Sequence, residues 1–190
     1  MNKNIKQLIE VYADEYENLK INSIIINKLK NALKEEFNAW YGYIITREFL
    51  VGQLRPDIVK TYDELAEDEL KDHAYWLMKR INELGGTIQD LTISPNSWGE
   101  AKHQYRSPLW VEIQEGNSLI PVIESLKTNI ENEKDAIKTY NELITLTQGV
   151  DWTTNSKCKD ILADEEEHLQ MLKELLDDIT LNIDKTISNF

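Results

Sequence analysis

Three histidines occur in the 190-residue chain, and two of them follow carboxylates at about one helical turn. His168 closes Glu165-Glu166-Glu167-His168, a Glu-x-x-His, while His73 stands four residues after Glu69 and one after Asp72. Residues three or four apart share a helix face, so each segment can offer a carboxylate and an imidazole to one cation. Two more glutamates lie in matching surroundings. Glu36-Phe-Asn-Ala39-Trp-Tyr-Gly-Tyr43 and Glu133-Lys-Asp-Ala136-Ile-Lys-Thr-Tyr140 both read Glu-x-x-Ala-x-x-x-Tyr. The intervals from 36 to 73 and from 133 to 168 are similar, so the chain reads as two copies of one helix hairpin. Glu36, Glu69, His73, Glu133, Glu165 and His168 are therefore the candidate metal-binding and catalytic set. Four carboxylates and two imidazoles converging on one axis are what two metal ions with shared carboxylates require. So oxygen-rich a set suits iron or manganese better than zinc or copper.

The carboxylate partner of His73 is open between Glu69 and Asp72. On a regular helix Glu69 overshoots a full turn by about 40°, whereas Asp72 lies about 100° from His73 and is shorter by one methylene. Glu69 is the better partner, and a π-type bulge near Leu70 would bring it nearer still. Leu70, being apolar, can only pack. Glu35, Glu166 and Glu167 read as solvent-facing charge, His103 as a surface residue and Cys158 as a packed thiol.

The elements that must position these residues are long helices. Gly and Pro number only 7 and 4 and cluster at a few breaks. Apolar residues at helical spacing predict a first helix over about 4–19 and a second over about 24–51, with Leu29, Leu33, Phe37, Trp40 and Ile44 as its stripe. A third starts at Pro56 and stops at Gly85-Gly86. Residues 87–117, with two prolines and two glycines, suit a crossover between parallel helices. A fourth helix opens near Ser118 with Pro121 in its first turn and ends before Gly149. The last opens at Thr153 or Thr154, either able to cap it, and runs to about Leu181. The expected class is all-α: a four-helix bundle over 23–181 with one long crossover between its second and third helices, an extra N-terminal helix over 1–22 and a tail over 182–190.

Composition narrows the function. One cysteine excludes an internal disulfide and a multi-thiolate zinc site. No apolar run approaches the roughly 18 residues of a membrane span, and residues 1–10 lack a signal-peptide core, so a cytoplasmic protein is expected. The 21 basic against 34 acidic side chains give a net charge of −13, a field that repels nucleic-acid phosphates and favours cations.

At these residues the chain resembles the ferritin-like superfamily, in particular bacterioferritin and Dps-like bacterioferritin relatives. Leu29-x-x-x-Leu33-x-x-Glu36-x-x-Ala39-x-x-x-Tyr43 is similar to the first bundle helix of that family, Glu133-x-x-Ala136-Ile137-x-x-Tyr140 to the third, and the stretch from Ile161 to His168-Leu169 to the fourth. His73-Ala74 through Arg80-Ile81 to Leu84-Gly85 resembles the second. The resemblance implies a ferroxidase centre that oxidises two Fe(II) ions with dioxygen or hydrogen peroxide and passes Fe(III) to a store. By position it implies Glu36 and Glu133 as terminal ligands, Glu165 as a bridge, His73 and His168 as one cap each, and Tyr43 and Tyr140 as hydrogen-bond partners of the carboxylates. Three departures stand out. Leu70 occupies the place of the family's bridging glutamate, three before His73. Lys71 occupies the place of the haem-ligating methionine, so no haem is expected. Only a short polar tail follows Asp178, so a homo-oligomer of 12 subunits is expected in preference to 24.

Two other readings share the same residues. A rubrerythrin-like peroxidase or a manganese catalase-like enzyme would use the centre without storage. A non-catalytic helical assembly protein would hold a structural metal.

Overall fold

The computed structural model describes residues 3–49, 55–89, 91 and 120–187. Five α-helices account for nearly all of them: α1 (Lys3–Phe49), α2 (Arg55–Asp68), α3 (Tyr75–Glu83), α4 (Ile120–Thr147) and α5 (Trp152–Ile187). A six-residue π-helical segment, Glu69–Ala74, joins α2 to α3 without a break, so together they form one bundle helix. No strand occurs among the described residues.

Two apolar clusters show how the helices run. One contains Ile25, Leu29 and Leu33 of α1, Leu77 and Ile81 of α3, Leu143 of α4 and Ile161 of α5. The other contains Tyr43 of α1, Ile58, Tyr62 and Leu65 of α2, Leu126 and Ile130 of α4, and Leu172 and Ile179 of α5. Along the chain, α1 and α5 pass from the first cluster to the second, and α2–α3 and α4 pass from the second to the first. Each hairpin is therefore antiparallel, and α3 and α4 are parallel neighbours in chain order. Parallel helices must be linked along the length of the bundle, which is the crossover expected over 87–117. Most of that segment, His103 included, lies outside the described residues.

Several boundaries differ from the sequence reading. The expected break after residue 19 does not occur, and the N-terminal segment is the front of α1. Lys20-Ile21-Asn22-Ser23 contains neither Gly nor Pro, and Ile21 and Ile26 pack against the first cluster, so helical hydrogen bonding continues through it. Leu19, the last residue of the expected first helix, is 69% exposed. At the other end α5 continues to Ile187, through most of the expected tail.

The stops are where glycine put them. Gly85 has φ +82°, and the Gly86 amide reaches the Ile81 carbonyl (2.8 Å) while the Gly85 amide reaches Asn82 (3.0 Å), a paired closure that needs a left-handed residue. Gly149, with φ +75°, ends α4.

The cap of α5 is Asp151 and not a threonine. Its carboxylate accepts from the Thr154 amide (3.0 Å) and the Thr154 hydroxyl (2.5 Å). Arg80 of α3 donates to both Asp151 oxygens (2.8 and 2.9 Å) and to Thr154 Oγ1 (2.8 Å). An anion at a helix N-terminus, a capping bond and a half-buried ion pair thus coincide. We expect Asp151→Ala to lower stability by about 2 kcal/mol in thermal or urea unfolding. Glu83→Ala, which removes only the exposed partner of Arg80, should change it by less than about 0.5 kcal/mol.

Candidate metal centre

Between the two apolar clusters lies one polar layer. It holds Glu36 of α1, Glu69 and His73 of the π segment, Glu133 of α4, and Glu165 and His168 of α5, all at most 3% exposed. All six candidates from the sequence are therefore brought together. Their ligand-type atoms form two groups, Glu36–Glu69–His73–Glu165 and Glu69–Glu133–Glu165–His168, each within 4.8 Å. Glu69 and Glu165 belong to both.

The Nδ1 atoms of the histidines face the carboxylates. His73 Nδ1 lies 3.0 Å from Glu69 Oε2, 3.2 Å from Glu165 Oε1 and 3.4 Å from Glu36 Oε2. His168 Nδ1 lies 3.4 Å from Glu69 Oε1 and 3.7 Å from Glu165 Oε2. The two rings are 5.8 Å apart between centroids and tilted by 30°.

Tyr43 donates to Glu133 and Tyr140 donates to Glu36. Each phenol thus braces the glutamate of the other hairpin and not the one seven residues before it. The sequence reading assigned these tyrosines to the carboxylates but could not see the crossing.

The π segment explains the altered spacing on the second bundle helix. The Tyr75 amide bonds to the Leu70 carbonyl, five residues back. Such a turn takes in about one residue more than the 3.6 of an α-helix. Glu69, four before His73, therefore falls on the same face, as Glu165 does three before His168. Asp72 is exposed, and of the two carboxylates it is Glu69 that lies beside His73 in the buried layer. Glu35, Glu166 and Glu167 are exposed, and Cys158 is fully buried, with burial pushing its thiol up to about 12.

Two residues went unnoticed in the sequence. Asp164 Oδ2 lies 3.3 Å from His73 Nε2, and Asp68 Oδ2 lies 3.4 Å from His168 Nε2. Each immediately precedes a shared glutamate. The available signal was the repeated pair Asp68-Glu69 and Asp164-Glu165.

Electrostatically the layer is under strain without cations. Burial, then the neighbouring Glu36 charge, raises the Glu69 pKa. Burial, then Glu69 and Glu165, holds Glu133 well above the usual carboxylate range. Burial opposes the His168 cation, but Glu165 and Glu69 outweigh it and move its pKa up to about 11. Glu69 Oε1, both Glu165 oxygens and His168 Nδ1 are buried without a hydrogen-bond partner. Buried polar atoms are rarely left so, and atoms of this type, converging in two groups, fit a pair of divalent cations. Four glutamate charges balance two such ions.

An all-helical bundle with paired carboxylate–imidazole groups at mid-height is the architecture of carboxylate-bridged two-metal proteins. The comparisons agree, for the ferritin-like domain profile matches residues 26–182 and the chain belongs to that family. A DNA protection during starvation protein of Pyrococcus furiosus is 29% identical over 153 residues, 80% of this chain and 76% of that one. The solved bacterioferritin-related protein of Bacteroides fragilis, a dodecameric thioferritin, is 32% identical with a TM-score of 0.67, over 92% of this chain and 98% of that one. A ferritin-like di-iron-carboxylate protein of Bacillus anthracis shares the fold at 23% identity and TM-score 0.65, over 82% and 97% of the two chains.

The raised pKa values give the metal-free protein a direction of pH dependence. A histidine whose folded pKa is raised contributes stability that is complete below its unfolded value of 6.5 and is lost as pH rises through about 11. Raised glutamates act in the same sense, losing stability from 4.5 upward. Chelator-treated protein should therefore melt several degrees lower at pH 9 than at pH 6.5. Zinc-loaded protein should not follow, because binding requires deprotonated ligands and strengthens with pH. A flat or rising melting temperature of the metal-free protein over that interval would contradict the burial described.

Proposed function

We propose that this chain is the subunit of a di-iron ferroxidase, in which Glu36, Glu69, His73, Glu133, Glu165 and His168 take up two Fe(II) ions as substrate. The observation that carries the reading is the sharing of Glu69 and Glu165 between two buried ligand groups. Shared carboxylates hold two ions close enough to lose one electron each to one oxidant. With dioxygen, two Fe(II) and two protons give two Fe(III) and hydrogen peroxide. With peroxide as oxidant, two Fe(II) and two protons give two Fe(III) and two waters.

Charge drives the cycle onward. Two divalent ions are balanced by the four glutamates, whereas two trivalent ions leave an excess of two positive charges in a buried layer. Low-dielectric surroundings make such an excess unfavourable, which favours release of the product toward a store. Tyr43 and Tyr140 hold the terminal carboxylates from the opposite hairpin through the change. Lys71 stands where a haem ligand would be expected, so haem has no part in this reading.

The net charge of −13 suits an assembly of identical chains with an acidic interior. The Bacteroides relative is dodecameric, and we propose 12 subunits here. The Pyrococcus relative is named for DNA protection. In so acidic a protein that role is better served by removing iron and oxidant together than by coating DNA. A cytoplasmic site of action goes with this reading, and no described helix is long and apolar enough to cross a membrane.

Aerobic addition of Fe(II), followed by ferric absorbance and an iron count, tests the reading. Uptake beyond about two ions per chain is expected, since the layer itself holds only two. A plateau near two would indicate a di-metal enzyme without storage, and no uptake would leave a structural protein. Light scattering should give a closed oligomer, and a stable monomer at micromolar concentration would end the cage reading. Within the site, Glu69→Gln should bind about one metal ion per chain in place of two, because three glutamate charges no longer balance two divalent ions in a buried layer, and Asp72→Asn, outside both groups, should keep both.

A further inference from the structure

α1 is one uninterrupted helix, Lys3–Phe49, and its front runs past the bundle. A Cβ on Gly86, at the stop of α3, would come 2.8 Å from Ile26 Cγ2, and the bonds from Arg80 to Asp151 set the start of α5 beside the end of α3. α4 ends in the same region, at Thr147. Ahead of Ile21, α1 therefore continues through about 25 Å of helix beyond these ends. The ferritin-like profile begins only at residue 26, so the bundle and its two-metal layer do not account for this segment.

The front carries an apolar stripe of its own. On a regular helix the positions of Ile5, Leu8, Tyr12, Tyr16 and Leu19 fall within about 80° of one another. The centre of that stripe is about 100° around the axis from the positions of Ile25, Leu29, Leu33 and Glu36, which α1 buries in its own bundle. One bundle cannot cover both faces, and Leu19, at the rear of the stripe, is 69% exposed. The spacing is palindromic: the intervals are 3, 4, 4 and 3 residues, so the stripe maps onto itself about Tyr12 when the helix is reversed. A twofold contact between identical helices needs this, since residue i must meet j while j meets i. In an antiparallel pair about Tyr12, Ile5 comes level with the second copy's Leu19, and Leu8 with the second copy's Tyr16. Lys6 comes within one residue of the second copy's Glu17, and the converse follows by symmetry. Glu10 and Asp14, which would be level with each other, occupy positions about 160° from the stripe centre, away from the contact. A parallel pair would instead set each charge against its like.

We propose that the front of α1 is an assembly arm: residues 3–19 of two copies of this chain pair antiparallel through the five stripe residues, with Tyr12 at the twofold and Ile9 flanking the seam. The palindrome identifies the occupant as a second copy, because a foreign helix places no such demand on the spacing. An apolar seam also lets chains of net charge −13 associate against their mutual repulsion. The pairing is independent of the metal centre, and it names one contact of the homo-oligomer proposed above.

The experiment uses the full-length protein, with diamide as a thiol oxidant and light scattering for mass. Tyr12→Cys should give a disulfide-linked dimer as the main species on non-reducing electrophoresis, because a twofold at residue 12 brings the two thiols together. Glu10→Cys, on the far side of the helix, should stay unlinked, and so should the wild type, whose Cys158 is buried. Adding Leu8→Glu and Tyr16→Glu to Tyr12→Cys should abolish the link by placing charge in the seam. If that combined variant fails to fold by circular dichroism, the two single cysteine variants decide. A large oligomer in which residue 12 does not cross-link, or in which residues 10 and 12 cross-link alike, would overturn the arm pairing and leave the cage reading standing. Persistence of the link with both glutamates in place would also overturn it. A wild type that stays a dimer, linked through residue 12 in Tyr12→Cys, would keep the pairing and end the cage of twelve. A monomer at micromolar concentration would overturn both.

Discussion

Four carboxylates buried in one layer repel one another, and no arrangement of apolar side chains can relieve that. Each would cost several kcal/mol as an isolated buried anion. Two responses are available: protons, as the raised pKa values of Glu69 and Glu133 and the high value of His168 indicate, or cations. The packing above and below keeps the layer from reaching water. Ile25, Leu29, Leu33, Leu77, Ile81 and Leu143 close one side, and Ile58, Leu65, Leu126, Ile130 and Leu172 close the other. The bundle's long helices are what allow a polar plane to sit between two apolar blocks.

The layer is held by an approximate twofold relation between the hairpins. Tyr43 and Tyr140 cross to each other's glutamates, Asp68 and Asp164 cross to each other's histidines, and Glu69 and Glu165 lie in both ligand groups. Crossed bracing means that each hairpin completes the other's half-site, so a lone hairpin would leave its carboxylates without partners. The relation is broken in one place. The second bundle helix carries an extra residue between glutamate and histidine, and the π segment absorbs it, returning Glu69 to the inner face. A regular α-helix would have displaced the carboxylate by part of a turn.

Much of this was legible in the chain. The six polar residues were readable because metal-ligand chemistry demands fixed types at fixed intervals, and because the pattern occurs twice. The π segment was legible for the same reason, since Leu70 stood where a carboxylate was needed and Glu69 one residue away. Positions set by chain continuity were less so. Residues 20–23 look like a pause, yet helical hydrogen bonding runs through them because nothing there breaks it. The α5 cap was assigned to a threonine because Thr and Asp are both capping residues, and Arg80, remote in sequence, adds the ion pair that favours Asp151. Asp68 and Asp164 were hidden because a half-exposed aspartate on a charged helix carries no periodic signal. Their meaning comes from the ring they meet across the bundle.

The central claim is that Glu69 and Glu165 are each shared by two metal ions. Iron X-ray absorption on anaerobically loaded protein at two Fe(II) per chain addresses it directly. The account predicts an iron–iron scattering vector at about 3.5–4 Å, the separation of two ions held by common ligands, together with light-atom scattering from oxygen and nitrogen and none from sulfur. Iron environments without a metal neighbour at that distance would mean that the two groups bind independently, and would contradict it.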